Sequence, residues 1–581
     1  MTEQDIRKLS KKELQDIVLR MQEILSDKQK REFQKIIETY RNQAENKTLQ
    51  PFQVRMSDEL VNEKMTQVRK WKKRIDEGEL YLDMEEYEDY AEEYWNSEWI
   101  TEYYDNQGIG DKIQYMIGFA EDCVDDRRYR EANEIYEWLW EMSVSTDSEY
   151  EEYGEPVDLE MLAENNLIHT DMKRLALLTL YADYQSLPVK ERAEDMYLYF
   201  THSTFSKLNL EEMFHVGREE LEDTEQFWKD WIALLQKKKG DMEARLLKEA
   251  VLHCNGIEGL YEMAKEAASV HPSLYLTVME EYEKGHLYKE IEKAGEEALG
   301  RIDVNLTIRS EIALKAAFAS SCLSHQEKMM QFCWESFKSD STVKNYLRLF
   351  GTEEMAKRYG LRGKEVLIKT PKGDSSLSSG CLELHMNIMS NYEYRMLAFY
   401  TGDFDYVKQK SPNPEGSLGW SSSFIDNGIR LFLLYLYVRP FPSKSAKDIA
   451  SYIGFSDEKA QKNRMKFETE IQRECQEHKV SEFWNYFQRW KRYFPMEKTE
   501  RKKYLTWAEN IVYKRADAIV SGQHRSHYGE AAELLAIVGE IKEDTGIQGA
   551  GKYIYEQYKR KFPRHSSFQR EMNNYFNITK R

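Results

Sequence analysis

The sequence predicts an all-α protein, an α-solenoid of stacked helical hairpins. The first observation is a helix-start signal near the N-terminus. Ser10-Lys11-Lys12-Glu13 matches a capping box, in which the serine hydroxyl and the glutamate each bind a free backbone amide. The same device recurs at Ser26 to Gln29, and the apolar residues behind it follow helical spacing at Phe33, Ile36, Ile37 and Tyr40. Strand signals are nearly absent, and Val366 to Ile368 is the one short segment that favours a strand.

The helices are expected to pair. One short pattern occurs four times. A polar turn is followed by an aromatic residue and, three positions later, by a small or apolar residue, at Tyr129–Ala132, Tyr288–Ile291, Phe404–Val407 and Tyr528–Ala531. This pattern resembles the second helix of a tetratricopeptide-type (TPR-like) hairpin, where small residues let two helices approach and the aromatic ring fills the groove between them. The irregular spacing predicts degenerate hairpins rather than a regular array, and their stacking would bury a continuous core.

Length and composition set the broad class. The chain has 581 residues, and 41% hydrophobic residues supply enough apolar surface for a core. Its longest apolar run, Leu431 to Val438, is far too short to cross a membrane, and the N-terminus has no apolar signal segment. The six cysteines include no CxxC pair, so no disulfide framework is expected. A cytoplasmic protein without a membrane partner is predicted.

The net charge of −19 is unevenly distributed. Residues 1–74 carry 18 Lys and Arg against 12 Asp and Glu, residues 481–581 carry 19 against 12, and the middle is therefore strongly acidic. Residues 76–105 hold 13 acidic residues, no Lys or Arg, and eight aromatics that include Tyr94 and Trp95. This strip is a docking site for a basic partner, a mimic of nucleic acid, or an amphipathic helix with a solvated acidic face and a buried aromatic one. The helical spacing of Tyr87, Tyr90 and Tyr94 favours the helix.

Charge and composition divide the chain into five segments. These are basic N-terminal helices (1–74), acidic aromatic-rich helical hairpins (75–165), a helical repeat region (166–369), a loop-containing helical region (370–480) and basic C-terminal helical repeats (481–581). The fourth segment contains two long loops, Thr370 to Gly380 and Ser411 to Ser423. Trp420 in the second loop is either a binding aromatic or, as favoured, a side chain packed onto the neighbouring helix.

A basic, aromatic stretch at residues 481–503 is the best candidate for an interaction surface. Its cations alternate with Trp and Tyr, and we expect the surface to include Arg489, Lys491, Arg492, Arg501, Lys502 and Lys503. Three aromatic residues from other segments, Trp420, Tyr94 and Trp95, are further candidates for an interaction surface. Aromatics that stack on bases beside cations that hold phosphates would give this pattern. An amphipathic helix would also give it, and that is favoured because Phe483, Phe487, Trp490 and Phe494 follow helical spacing.

Motifs for catalysis are missing. The sequence has no phosphate-binding GxxxxGK[ST] loop, no HExxH helix and no GxSxG elbow. Three pairs have the spacing of half a tetrahedral zinc site, Cys322–His325, Cys381–His385 and Cys475–His478, and whether two of them converge is open. The cluster His524-Arg525-Ser526-His527 suits either acid–base chemistry or, as favoured, a structural turn. We expect no catalytic residues, no cofactor and no metal, and hence no enzyme.

Two blocks carry a family resemblance. Arg309 to Phe350, and Arg515 to Gly546 followed by Tyr558 to Met572, resemble the helical body of bacterial SWIM-type zinc-finger proteins. The finger itself needs a CxC…CxH ligand set, which this sequence lacks, so no nucleic-acid role of the finger carries over. The resemblance implies a protein-interaction body, with a MoxR-type AAA ATPase or a von Willebrand A-domain protein as partner.

Three functions follow, in order of preference. The first is a non-enzymatic helical-repeat scaffold or adaptor that mediates protein–protein interaction. The second is a nucleic-acid-binding accessory protein that uses the basic regions 1–74 and 481–581. The third is an enzyme or metal protein, which would need His524 or His527 beside carboxylates, or two Cys–His pairs within bonding reach.

Overall fold

The computed structural model describes residues 55–89, 98–148, 155–373, 380–421, 423–455 and 463–576. Most of these residues are helical, as predicted, and one small three-stranded sheet accompanies them. The chain divides into two compact units, the first Met1–Ser186 with Met213–Glu220 and the second Leu187–Glu212 with Leu221–Arg581. The helices predicted at Ser10 and Ser26 lie outside the described residues.

The first unit is built on α1 (Asp58–Asp76), α2 (Ile109–Asp125), α3 (Tyr129–Glu141), α4 (Leu159–Glu164) and α5 (Met172–Ser186). Helix α3 packs against both α2 and α5. It is joined to α1 by Arg69, whose guanidinium donates to both oxygens of Glu134 at 2.7 Å, and by Trp138, whose indole donates to Asp76 at 2.9 Å.

Within the acidic strip, residues 81–89 and 98–104 form strands rather than the predicted helix. β1 (Tyr81–Asp89) pairs antiparallel with β2 (Glu98–Tyr104) and parallel with β3 (Ser145–Ser148). Leu80, Leu82 and Met84 are buried, and this period of two, at the start of β1, is the strand signal that the helical spacing of the tyrosines obscured. Tyr94 and Trp95 lie outside the described residues.

The second unit begins with α6 (Arg192–Tyr199), α7 (Ser203–Ser206), α8 (Thr224–Leu235), α9 (Asp241–Glu266), α10 (Ser273–Lys284), α11 (Tyr288–Arg301), α12 (Ile308–Cys322) and α13 (Gln326–Ser339). From α8 to α13, each helix packs against the next. Helices α11 and α12 approach closely at Gly295, where an added Cβ would lie 2.4 Å from the Cβ of Ala316. A small residue is therefore required at this contact, as the hairpin pattern predicts.

The unit continues with α14 (Val343–Arg348), α15 (Glu353–Arg358), α16 (Gly363–Lys369), α17 (Asn391–Tyr400), α18 (Phe404–Gln409), α19 (Ile425–Leu436), α20 (Lys444–Ile453), α21 (Lys466–His478) and α22 (Glu482–Lys491). The strand predicted at Val366 to Ile368 is wrong, because these residues lie in α16. Val366 and Leu367 are both buried, whereas Ile368 is 71% exposed, so burial does not alternate as it would in a half-buried strand.

An aromatic core forms where α17, α19 and α22 meet. Phe483, Phe487 and Trp490 are fully buried, as predicted for the apolar stripe, whereas the fourth member, Phe494, lies beyond the end of α22 and is half-buried. The Trp490 indole donates to the Tyr400 carbonyl at 2.7 Å. The chain then forms α23 (Lys498–Ser521), α24 (Tyr528–Asp544), α25 (Ala550–Lys561) and α26 (Ser566–Tyr575), with α24 packed against the other three. Among the described residues, no helix combines the length and apolar character that a membrane span requires.

Candidate functional site

Most of the predicted basic surface is used inside the fold. Arg489 donates to both oxygens of Glu474, at 2.8 and 3.0 Å, and to the Gly351 carbonyl at 2.9 Å. Lys503 pairs with Asp405 at 2.6 Å. Of the six candidate cations, Arg492, Lys502 and Lys503 are exposed, and the first two make no ion pair with a described residue. The stretch is therefore a weaker phosphate-binding surface than its composition suggests.

Two more of these cations close the C-terminal end of α19. Lys491 donates to the Tyr437 carbonyl at 2.5 Å, and Arg501 donates to the Leu436 carbonyl at 2.7 Å. Cations are favourable at this end of a helix, where the last carbonyl groups lack intrahelical partners. Burial, with a smaller contribution from the neighbouring Arg501, lowers the pKa of Lys491 to about 7.

A surface groove lies beside the basic stretch. Two clefts, with volumes of about 560 Å³ and 360 Å³, both include Val480 and Trp484 in their walls. We call this pair of clefts the Trp484 groove. The remaining lining of the first cleft comes from Pro442, from α20 and the two residues after it, and from the turn after α21. That of the second comes from α21, from α22 and Arg492 directly after it, and from the segment Pro440–Phe441. Apolar residues contribute much of this lining, namely Pro440, Phe441, Pro442, Ala450, Phe455, Val480 and Trp484.

The Trp484 groove is basic, although the chain carries a net charge of −19. Lys447 and Lys479 line the first cleft and Arg492 the second, and none of the three makes an ion pair with a described residue. The one carboxylate in the lining, Glu474, is held by Arg489. Phe441 is 55% exposed, and its ring centre lies 5.2 Å from that of His478. The groove therefore combines an exposed aromatic ring with cations that have no carboxylate partner among the described residues.

Sequence reasoning did not identify this groove. Arg492 was among the candidates, but Lys447, Lys479 and Trp484 come from separate helices and turns that meet only in the folded chain. The available signal was the Pro440-Phe441-Pro442 segment, in which two prolines hold an aromatic residue in a loop.

Trp420 belongs to the interior. It is fully buried, and the guanidinium carbon of Arg515 lies 4.9 Å from its ring centre. Arg515 also donates to both oxygens of Glu530, at 2.8 and 3.1 Å, and to the carbonyls of Ser417 and Leu418, at 3.1 and 2.7 Å. One buried arginine therefore fastens the loop around Trp420 to α23 and α24, and Trp420 is not an interaction surface.

The histidine cluster lies at a cleft of about 420 Å³. His524 and His527 line it together with Arg430, Tyr452 and Glu530. The Nδ1 atom of His527 lies 3.0 Å from Glu530, so this histidine does have the carboxylate neighbour that an acid–base site needs. Glu530 is already bound by Arg515, however, and no hydroxyl or thiol group of a described residue hydrogen-bonds either imidazole. The arrangement favours an anchored turn over a nucleophilic site.

A second buried ion pair adjoins this cleft. Arg430 donates to Asp426 at 2.9 Å and to Glu533 at 2.6 Å, and all three side chains are largely buried. Burial raises the pKa of Glu533 to about 7, although the charge of Arg430 opposes that rise.

The three Cys–His pairs have separate local partners. His325 lies 2.9 Å from Glu292, Cys381 donates to Asp241 at 3.0 Å, and Cys475 donates to the Ser481 carbonyl at 3.6 Å. Among the residues that the structure describes, no three His, Cys, Asp or Glu side chains are grouped so that they could hold a metal ion.

Comparisons with protein-family models, with curated proteins and with solved structures gave no match. Function is therefore inferred from the geometry of the site.

Proposed function

We propose that this protein is a non-enzymatic helical scaffold or adaptor that binds a protein partner through the Trp484 groove. The observation that carries the proposal is the groove itself, in which apolar walls are bordered by Lys447, Lys479 and Arg492. Protein interfaces combine an apolar centre with a polar, charged rim in this way. The exposed ring of Phe441 supplies an aromatic contact of the kind that anchors such interfaces.

The architecture supports a scaffold. Consecutive packing from α8 to α13, together with the close contact of Gly295 with Ala316, is what an α-solenoid of degenerate TPR-like hairpins requires. Solenoids present extended binding surfaces without a central catalytic pocket. The relation to the helical body of bacterial SWIM-type proteins stays a prediction, as do a cytoplasmic location and a MoxR-type AAA ATPase or von Willebrand A-domain partner.

Nucleic-acid binding through the C-terminal region has less support. Phosphate contacts need cations that are free to neutralise a charged backbone. Arg489, Lys491, Arg501 and Lys503 instead bind carbonyl groups or carboxylates of this chain.

Site-specific photocrosslinking tests the proposal. A photoreactive phenylalanine derivative replaces Phe441, and the same derivative replaces Tyr553, which is 70% exposed on α25 and serves as the matched control. In cells of the natural source, position 441 should give one dominant protein adduct that resists nuclease, and position 553 should not. The double variant Lys447→Glu, Lys479→Glu should remove that adduct. Equal adducts at both positions, or an adduct that nuclease destroys, would contradict the proposal.

A further inference from the structure

We infer that the Trp484 groove binds an acidic segment of the partner that carries apolar side chains. This inference rests on the proposed function and adds the chemistry of the ligand. Charge is the first reason, because Lys447, Lys479 and Arg492 have no carboxylate partner among the described residues. Each exposed pair with a ligand carboxylate contributes little by itself, so several acidic residues are needed, and their attraction is screened by salt.

The apolar walls give the second reason. Pro442, Ala450 and Phe455 line the first cleft, Pro440 and Phe441 line the second, and Val480 and Trp484 line both. A ligand without apolar side chains would leave these walls in water, whereas aliphatic or aromatic side chains would bury them. Groove-binding peptides use such anchors, one in each pocket.

An unpaired donor in the wall gives the third reason. Trp484 lines both clefts, and its indole N–H donates to no described residue while it keeps some contact with solvent. The N–H of a largely buried tryptophan usually has a hydrogen-bond partner. A carbonyl or carboxylate oxygen of a bound acidic segment would accept from this N–H.

These observations favour a peptide over a nucleic acid. Single-stranded nucleic acid stacks successive bases on several exposed aromatic faces, whereas the Trp484 ring is almost entirely covered and Phe441 offers one exposed ring. A long polyanion is also repelled by a chain of net charge −19, while a short acidic segment carries few charges and needs only three cations.

Fluorescence anisotropy with defined peptides tests the inference. The probe is a fluorescein-labelled peptide of Asp and Glu alternating with Leu and Phe. One control peptide has Asn and Gln in place of the acids, and another has Ser in place of Leu and Phe. Only the acidic, apolar peptide should bind, and its affinity should fall about tenfold between roughly 50 and 300 mM NaCl, because salt screens the ion pairs.

Variants locate the binding. The double variant Lys447→Glu, Lys479→Glu should weaken the acidic peptide at least about tenfold, since two attractions become repulsions. Lys289→Glu is the matched control, because Lys289 is exposed on α11 and makes no ion pair with a described residue, and it should change affinity less than about twofold. Trp484→Phe keeps a ring but removes the N–H donor, and about fivefold weaker binding is expected. Melting temperatures confirm that each variant is folded.

The outcomes separate this inference from the proposed function. A groove-dependent crosslink in cells, combined with equal binding of the acidic and uncharged peptides, would overturn the acidic ligand and leave the scaffold intact. Absence of an adduct at position 441 when Lys447 and Lys479 are unchanged would overturn both. An oligothymidylate that binds with the same sensitivity to Lys447→Glu, Lys479→Glu would also overturn both, in favour of nucleic acid. Dimerisation abolished by that double variant would identify the occupant as a second copy of this chain.

Discussion

Replacement of Arg515 by methionine should destabilise the second unit and release the loop around Trp420. The substitution keeps most of the apolar stem but removes the guanidinium. Glu530 then loses a bidentate partner, and the carbonyls of Ser417 and Leu418 lose their donors. The face of the Trp420 ring loses its cation at the same time.

The magnitude follows from burial. The side chains of Arg515 and Glu530 are 6% and 15% exposed, so solvent does little to screen their attraction. Removal of one partner from a buried ion pair costs about 3–5 kcal/mol. The carbonyl groups share the same arginine, so their losses do not add fully to that figure. We expect the free energy of unfolding to fall by about 4 kcal/mol.

Urea unfolding followed by circular dichroism gives the stability, and amide hydrogen exchange of residues 411–421 reports the loop. Exchange should accelerate more in the loop than in the helices, because the loop loses its hydrogen bonds to Arg515 directly. Arg515→Lys should recover only part of the loss, since an ammonium group cannot reproduce the planar fork. The control is Arg525→Met, because Arg525 is a nearby exposed arginine that makes no ion pair with a described residue. A loss below about 1 kcal/mol, with unchanged exchange at 411–421, would refute the assigned role of Arg515.

Two further predictions concern burial and packing. Burial in the folded state raises the pKa of Glu533 from about 4.5 to about 7. Between these two pH values the folded chain holds a proton that the unfolded chain has released. The free energy of unfolding therefore falls as the pH rises through this window. In the unaltered chain, the free energy of unfolding at pH near 5 should exceed that at pH near 8 by up to about 3 kcal/mol through Glu533, and Glu533→Gln should remove this difference. Urea unfolding at the two pH values measures it, and a difference that the substitution leaves unchanged would contradict the prediction. Gly295→Ala should destabilise by about 1–3 kcal/mol because its Cβ would collide with Ala316. Gly300→Ala on the same helix, where nothing lies within 4 Å, should instead stabilise by about 0.5–1 kcal/mol, and similar melting temperatures for the two variants would refute the close contact.

The helices were predictable because their signals are local. The four aromatic residues singled out in the sequence, Tyr129, Tyr288, Phe404 and Tyr528, are the first residues of α3, α11, α18 and α24. The partner three positions later is buried in every case. A turn followed by an amphipathic stretch contains most of the information needed to place a helix.

The sheet and the site were not predictable in the same way. At the start of β1, a short alternation of Leu80, Leu82 and Met84 competes with tyrosines that follow helical spacing, and β1 pairs with both β2 and the distant β3. The Trp484 groove depends on which cations find partners elsewhere in the chain. Arg489 and Arg492 are three positions apart, yet the first is neutralised by Glu474 and the second is not. Such pairing is a tertiary property.

The two buried ion pairs on α24 make three helices interdependent. Glu530 and Glu533, one turn apart, bind Arg515 from α23 and Arg430 from α19. If α23 moved away alone, the Glu530 carboxylate would remain in the interior without its counter-ion, and if α19 moved away alone, Glu533 would lose the charge that favours its ionised form. Opening of one helix alone is therefore disfavoured relative to joint opening, and α19, α23 and α24 should unfold as one cooperative unit.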